Sequence, residues 1–361
     1  MKLQRVLINE NHFTWLVLGK DYLPIEPIQS FIRYLENIER SPHTIRAYAN
    51  HLKLYWEYLE EIKKDWKQVK LDDFAGFINW LRVDKSKVIY LNGHDAKRME
   101  STINSILTAT SSFYTFHHQL GNTEVTLVKT ASIASRRYKS LLYHITKNSP
   151  ARQRLVKLKQ PKHIPKTITI DQVKTLIDSC NNWRDKFLVS LLYETGMRIG
   201  QALGLRHTDI KSWDNEIHII PRINNINGSR AKTSSRNIIH VSPALMTIYS
   251  RFITEDCENI ESEYVFVQIK KENPGKPLSY RTVRDLFCRL SKKLGIHITP
   301  HMLRHTHATE LIRDGWDASF VQKRLGHSSV QTTIDNYSHL SSDDMKKAFK
   351  KYHDSKTGGQ S

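Results

Sequence analysis

The sequence predicts a mainly α-helical protein with one small β-sheet, built as an N-terminal helical domain followed by a C-terminal domain of mixed α and β structure. Apolar residues recur at three- and four-residue spacing over most of the chain, the pattern of helices that bury one face. Only two short runs, Glu216 to Ile220 and Arg236 to Val241, combine isoleucine enrichment with the flanking Asn, Gly and Ser of strands. A proline-marked basic stretch, Gln160-Pro161-Lys162-His163-Ile164-Pro165-Lys166, interrupts the helical pattern. Together these divide the chain into a leader (1–24), a helical domain (25–145), a basic linker (146–166) and a second domain (167–361).

After the leader, Ile28, Phe31, Ile32 and Leu35 follow Pro27 at helical spacing and predict the first helix. Ser41-Pro42 is an N-cap with a helix-starting proline, and Ile45, Tyr48, Leu52, Tyr55, Trp56 and Leu59 continue one stripe from it. Leu71 to Leu81 and Thr102 to Leu120, the latter closed by Gly121, repeat the pattern, so this domain reads as four helices with no clear strand. Its aromatic side chains are assigned to packing, because burial of aromatics is far commoner than base stacking. The linker, with Lys147-Asn148-Ser149-Pro150 at its start, suits either a segment that tracks phosphates or a solvated tether.

Thr169 with Gln172 three residues later forms a capping box and opens the second domain. Trp183 to Tyr193 reads as a buried helix stopping at Thr195-Gly196, and Arg198 to Leu205 opens another. The two Ile-rich runs form a hairpin with a long polar loop, and helical spacing returns from Tyr280, through Leu303 to Arg313 and Phe320 to Leu325. Ser341-Ser342-Asp343-Asp344 caps a last short helix with Met345, Ala348, Phe349 and Tyr352 on one face, which needs a surface to dock on.

Composition narrows the partner. Lys and Arg number 55 against 36 Asp and Glu, a net charge of +19, and a surplus of that size attracts polyanions, nucleic acid first among them. Three cysteines, with no CxxC pair, indicate neither a disulfide framework nor a cysteine zinc site. No signal peptide or membrane-spanning run is evident, so no membrane partner is expected and the cytoplasm is the expected location, in association with the nucleoid.

The chemistry-bearing residues lie in the second domain. Thr195-Gly196-Met197-Arg198, Pro300-His301-Met302-Leu303-Arg304-His305, Leu325-Gly326-His327 and Asp335-Asn336-Tyr337 supply arginines, histidines and one tyrosine. Displacement at a phosphodiester needs a nucleophile, an acid for the leaving group and cations around the phosphoryl oxygens. Arginine suits the last role because its planar fork stays protonated and donates two parallel hydrogen bonds to phosphate. A tyrosine beside guanidinium groups is pushed toward phenolate, and a histidine can take its proton. His301, His305 and His307 lack the HExxH pattern or carboxylate partner of a metal site, and no phosphate-binding GxxxxGK[ST] loop is present. Neither a metal nor a nucleotide cofactor is implied.

This set resembles the active site of the tyrosine recombinases, the phage-integrase family of DNA strand-exchange enzymes. The resemblance implies a helical core-binding (SAM-like) DNA-binding domain before a tyrosine-recombinase catalytic domain, and double-stranded DNA as substrate. It implies catalytic roles for Arg198, His301, Arg304, His327 and the nucleophile Tyr337, with Lys232 of the hairpin loop as acid for the leaving 5′-hydroxyl and Arg236 as the fallback cation. Gln201 stands where the family often has Glu, which raises a question about how Arg198 is oriented. It also implies a homo-oligomer, a dimer on each site and a tetramer in the synapse, coupled by the segment after the tyrosine docking on a neighbouring protomer. Length and arrangement look like those of a transposon-encoded transposase of the family, for which accessory transposition proteins are a further partner class. The alternatives are a type IB topoisomerase-like DNA-relaxing enzyme and a catalytically inactive DNA-binding regulator.

Overall fold

The computed structural model describes residues 1–9, 12–83, 98–131, 151–160, 165–222, 225–230, 236–269 and 273–326. The chain divides into two compact units, Met1–Lys162 and His163–Ser361. No helix among the described residues is long and apolar enough to cross a membrane.

The first unit contains α1 (Glu26–Asn37), α2 (Pro42–Glu61), α3 (Leu71–Arg82) and α4 (Glu100–Gln119). Ser41 caps α2 as expected, its hydroxyl accepting from Thr44 N at 3.2 Å. Tyr55, Phe74, Phe77, Phe113 and Tyr114 are buried together, so these aromatics build the core. Tyr114 donates to Trp66 O at 2.7 Å, which uses its one hydroxyl hydrogen, so Tyr55 is the donor in the 2.8 Å contact between the two hydroxyls.

The expectation of no strand in this unit is overturned. β1 (Lys2–Asn9) and β2 (His12–Leu18) form an antiparallel hairpin within the segment read as a leader, and β2 buries Val17 in the helical core. Charged and amide residues interleaved through β1 hide its apolar alternation, while Phe13, Trp15 and Val17 give β2 the aromatic and β-branched content that strands favour. A second pair joins β3 (Val128–Ala131) to β4 (Ala151–Arg154), the latter inside the stretch read as linker. Just beyond, the Asn104 amide clasps the backbone of Leu158 through two 2.9 Å hydrogen bonds, one in each direction.

The second unit is organised around α6 (Trp183–Thr195), with α5 (Ile170–Asp178) before it and the single turn α7 (Ile199–Ala202) after it. Thr169 and Gln172 make the expected capping box of α5. Phe187, Leu188, Val189, Leu191 and Leu192 are all buried, because α6 is enclosed by other elements. A three-stranded antiparallel sheet follows, ordered β5 (Ile210–Lys211), β6 (Glu216–Ile219), β7 (Asn237–His240), with Ile217 opposite both Ile210 and Ile239. The expected hairpin is β6–β7; β5 extends it.

Helix α8 (Pro243–Arg251) is not marked by the apolar pattern, although Ser242-Pro243 repeats the cap signal of Ser41-Pro42. It packs on α6, and the Glu194 carboxylate accepts from both the backbone N and, at 2.9 Å, the hydroxyl of Ser242. The unit's described part ends with α9 (Tyr280–Leu294), α10 (Pro300–Arg313), which also packs on α6, and α11 (Ala318–Leu325).

Gly196 terminates α6 in the left-handed region at φ 61°, and a Cβ there would meet Leu325 Cδ2 at 2.6 Å and His307 Cδ2 at 2.8 Å. Gly121 has a similar φ of 70° but open space around it. Gly121→Ala is therefore expected to cost about 1 kcal/mol from backbone strain alone. Gly196→Ala adds overpacking and is expected to cost about 2–4 kcal/mol in all. Urea midpoints at constant m-value check the difference; equal losses at the two positions would show that Leu325 and His307 give way freely.

Candidate active site

The site grows from the end of α6. Gly196 turns the chain so that Arg198 becomes the N-cap of α7, where its backbone N donates to Gln201 Oε1 at 2.8 Å. Gln201 is buried, and its side chain holds the main chain of Arg198 rather than the guanidinium. The Arg198 guanidinium reaches Gly326 O with Nη1 at 3.3 Å.

Arg304 arrives from α10. Thr299 caps that helix, its hydroxyl accepting from Met302 N at 3.4 Å, and Pro300 takes the first position. Helical spacing then separates two faces. His301 is exposed and meets His305 one turn on, with ring centroids 4.4 Å apart and planes at 68°. Leu303, Arg304 and His307 point inward.

Arg304 is only 1% exposed. Its Nη1 donates to Gly196 O at 2.6 Å and its Nη2 to Leu325 O at 2.9 Å. Those acceptors lie at the C-terminal ends of α6 and α11, where the helix dipole places partial negative charge. Arg198 and Arg304 therefore both reach the last turn of α11, on the adjacent carbonyls of Gly326 and Leu325. Gly326, at φ 64°, ends α11 and directs the chain onward at this corner.

A second, half-buried cation lies beside the first. Arg324 Nε donates to His307 Nε2 at 3.0 Å, so His307 is a neutral imidazole with Nε2 as acceptor. Burial first, then the positive charges of Arg324 and Arg304, push His307 down to about 3. The sequence alone marks His307 only as a helix-face or supporting residue and does not single out Arg324.

Of the six residues proposed from the sequence, Arg198, His301 and Arg304 are described, and the two arginines converge on one corner. Lys232, His327 and Tyr337 lie outside the described residues, as does the amphipathic stretch from Met345 to Tyr352. Arg236 immediately precedes β7 and is exposed. Among the described residues, no group of three or more His, Cys, Asp or Glu is arranged to hold a metal ion.

Two family models match the chain: the phage integrase family over residues 166–344, and the phage integrase N-terminal SAM-like domain over residues 28–120. Transposase A from transposon Tn554 of Staphylococcus aureus is 44% identical over 356 residues, covering 98% of this chain and 98% of the relative. Tyrosine recombinase XerA of Thermococcus kodakarensis is 27% identical over 312 residues, 86% of this chain and 89% of the relative. Among solved structures, the XerH site-specific recombinase bound to a palindromic difH substrate aligns with a TM-score of 0.61 at 18% identity, covering 90% of this chain and 84% of that one. That likeness is one of fold.

His307 gives a testable pH dependence. Its folded value lies below the ordinary 6.5, so between those values the unfolded chain binds a proton that the folded chain refuses. The stabilisation is complete above pH ~6.5 and is lost as pH falls toward 3, with a slope of about 1.4 kcal/mol per pH unit for one proton. His307→Phe should flatten the acid limb of stability by that one-proton slope, measured by urea unfolding from pH 7.5 to 4.5. An unchanged slope would mean that His307 is already protonated in the fold.

Proposed function

Because the chain belongs to the phage integrase family, the tyrosine recombinases, we propose that it cuts and rejoins double-stranded DNA at specific sites through a 3′-phosphotyrosyl link on Tyr337. It is a DNA strand transferase, and its likeness to the Tn554 transposase over nearly the whole of both chains makes integration or excision of a mobile element the reaction it serves. One corner of the second unit carries this proposal: Arg198 and Arg304 converge on the end of α11, and Gly326 there is followed in the sequence by His327 and, ten residues later, Tyr337.

In this mechanism the Tyr337 oxygen attacks the scissile phosphorus and the P–O5′ bond breaks. A histidine, His301 or His327, accepts the phenolic proton, and Lys232 gives one to the departing O5′. Arg198 and Arg304 bear the charge that builds on the non-bridging oxygens; both guanidiniums are anchored on main-chain carbonyls before the substrate arrives, so little reorganisation remains at the moment of reaction. The phosphotyrosyl bond conserves the energy of the broken diester, and rejoining reverses each proton transfer. No nucleotide hydrolysis is needed.

The net charge of +19 supplies the sequence-independent attraction to duplex DNA, with the helical domain of 25–145 and the catalytic domain of 167–361 both on the substrate. A dimer on each site and a tetramer in the synapse, acting in the cytoplasm at the nucleoid, complete the proposal.

Tyr337→Phe should abolish covalent capture on a nicked suicide duplex while leaving affinity for that duplex unchanged. A phosphotyrosyl adduct mapped to Tyr352 would sink the assignment. Arg198→Ala and Arg304→Ala should each slow cleavage by about 10²- to 10³-fold and weaken binding far less. Lys232→Arg should slow cleavage of an ordinary phosphodiester, because guanidinium is a very poor proton donor, and a 5′-bridging sulfur leaving group should restore the rate. No rescue by sulfur removes Lys232 from the acid role.

A further inference from the structure

Arg324 sits in the last turn of α11, with contacts on three other elements. Its Nε donates to His307 Nε2 of α10 at 3.0 Å. Its Nη2 donates to Glu194 O of α6 at 3.0 Å, and both Nη1 and Nη2 reach His240 O, at the end of β7, at 3.2 Å. From the other end of β7, Asn237 Nδ2 donates to Lys323 O at 3.2 Å and to Arg324 O at 3.4 Å. A single planar fork therefore fastens the C-terminal turn of α11 to a helix end, a strand end and the helix that carries Arg304.

That turn is the one whose carbonyls meet the two arginines of the proposed active site. Leu325 O, the next residue, accepts from Arg304, and Gly326 O, the one after, accepts from Arg198. On the opposite side, Arg324 bonds Glu194 two residues before Gly196, whose carbonyl is the other acceptor of Arg304. His307 completes the link from within, one turn beyond Arg304 and against the Gly196 backbone. Arg324, or the Glu194 that it bonds, thus lies within two residues of each of these three carbonyls.

We infer that Arg324 and His307 act as a pair of positioning residues for strand cleavage, setting the Arg198 and Arg304 guanidiniums by fixing the Gly196 and Leu325-Gly326 carbonyls. The pair touches no reacting atom. It works only as a fork, because a lysine ammonium is a compact donor that cannot span an imidazole and two carbonyls on separate elements. This inference rests on the cleavage function proposed above, and a misplacement of about 1 Å in such a site costs on the order of 10²-fold in rate.

The test uses the full chain and two measurements. On a suicide half-site duplex, Arg324→Lys and Arg324→Leu should each slow covalent-complex formation by about 10- to 100-fold while the dissociation constant for the same duplex stays within about threefold. Adding His307→Phe to Arg324→Leu should lower the rate no further than about twofold, since the two residues form one device. Full cleavage by the Lys variant, multiplying losses in the double variant, or equal losses in binding and cleavage would overturn the inference. In the free protein, amide hydrogen exchange at Gly196 and Gly326 should quicken in both Arg324 variants while α1 to α4 stay unchanged. Unchanged exchange at those glycines would overturn it as well, even if cleavage were not measurable. A wild-type chain that forms no covalent complex would instead overturn the cleavage function, and the exchange result would still decide the fate of the pair.

Discussion

The second unit depends on one guanidinium. Arg304 is buried, and a buried cation without acceptors costs several kcal/mol, so the fold must bring oxygen atoms to it. It brings the carbonyls of Gly196 and Leu325, at the ends of two helices whose terminal carbonyls have no partner within their own helix. Each unsatisfied set answers the other. The left-handed glycines follow from this arrangement, since Gly196 and Gly326 let each chain turn away directly at the point where its helix end is held. Arg198 repeats the device on Gly326 O at the same corner. Packing of α10 and α6, termination of α6 and α11, and the placement of two cations are thus one constraint.

Local signals announce most of this. Ser41 and Thr169 cap helices with their own side chains, and Gly196 stops α6 where the sequence places the stop. The arginines at 198 and 304 are readable because their residue types and neighbours form a pattern. Arg324 is not, because its partners are the main chain of residues 130 and 84 positions earlier and an imidazole 17 positions earlier, and a carbonyl leaves no mark on the sequence. β5 escapes notice because two residues are too few to show a period of two. In β1, interleaved polar side chains hide strand character within a segment short enough to pass as a leader. Gln201 is the right residue in a different role, since its side-chain oxygen holds the Arg198 backbone N.

The first unit solves a different problem with different means. Its aromatic core is closed by a relay from Tyr55 through Tyr114 to Trp66 O, in which each buried hydroxyl has an acceptor. Burial pushes both phenols above their ordinary value, so they stay neutral donors throughout the physiological range. Tyr55 and Tyr114 therefore belong to architecture. Asn104 extends the same logic beyond the helices. By pairing with both backbone groups of Leu158 it makes part of a proline-marked, basic stretch an integral edge of the unit.

The enclosure of Arg304 also separates two responses to ionic strength. The surplus of +19 draws DNA through exposed charges, and counterion release makes that attraction fall steeply as salt rises. Screening acts weakly on buried charge, and the Arg304 guanidinium is 1% exposed. Added salt should therefore empty the protein of DNA while leaving the catalytic step on already bound DNA nearly unaltered. Ionic strength becomes a means of setting how often the enzyme engages a site, independent of how fast it acts once engaged.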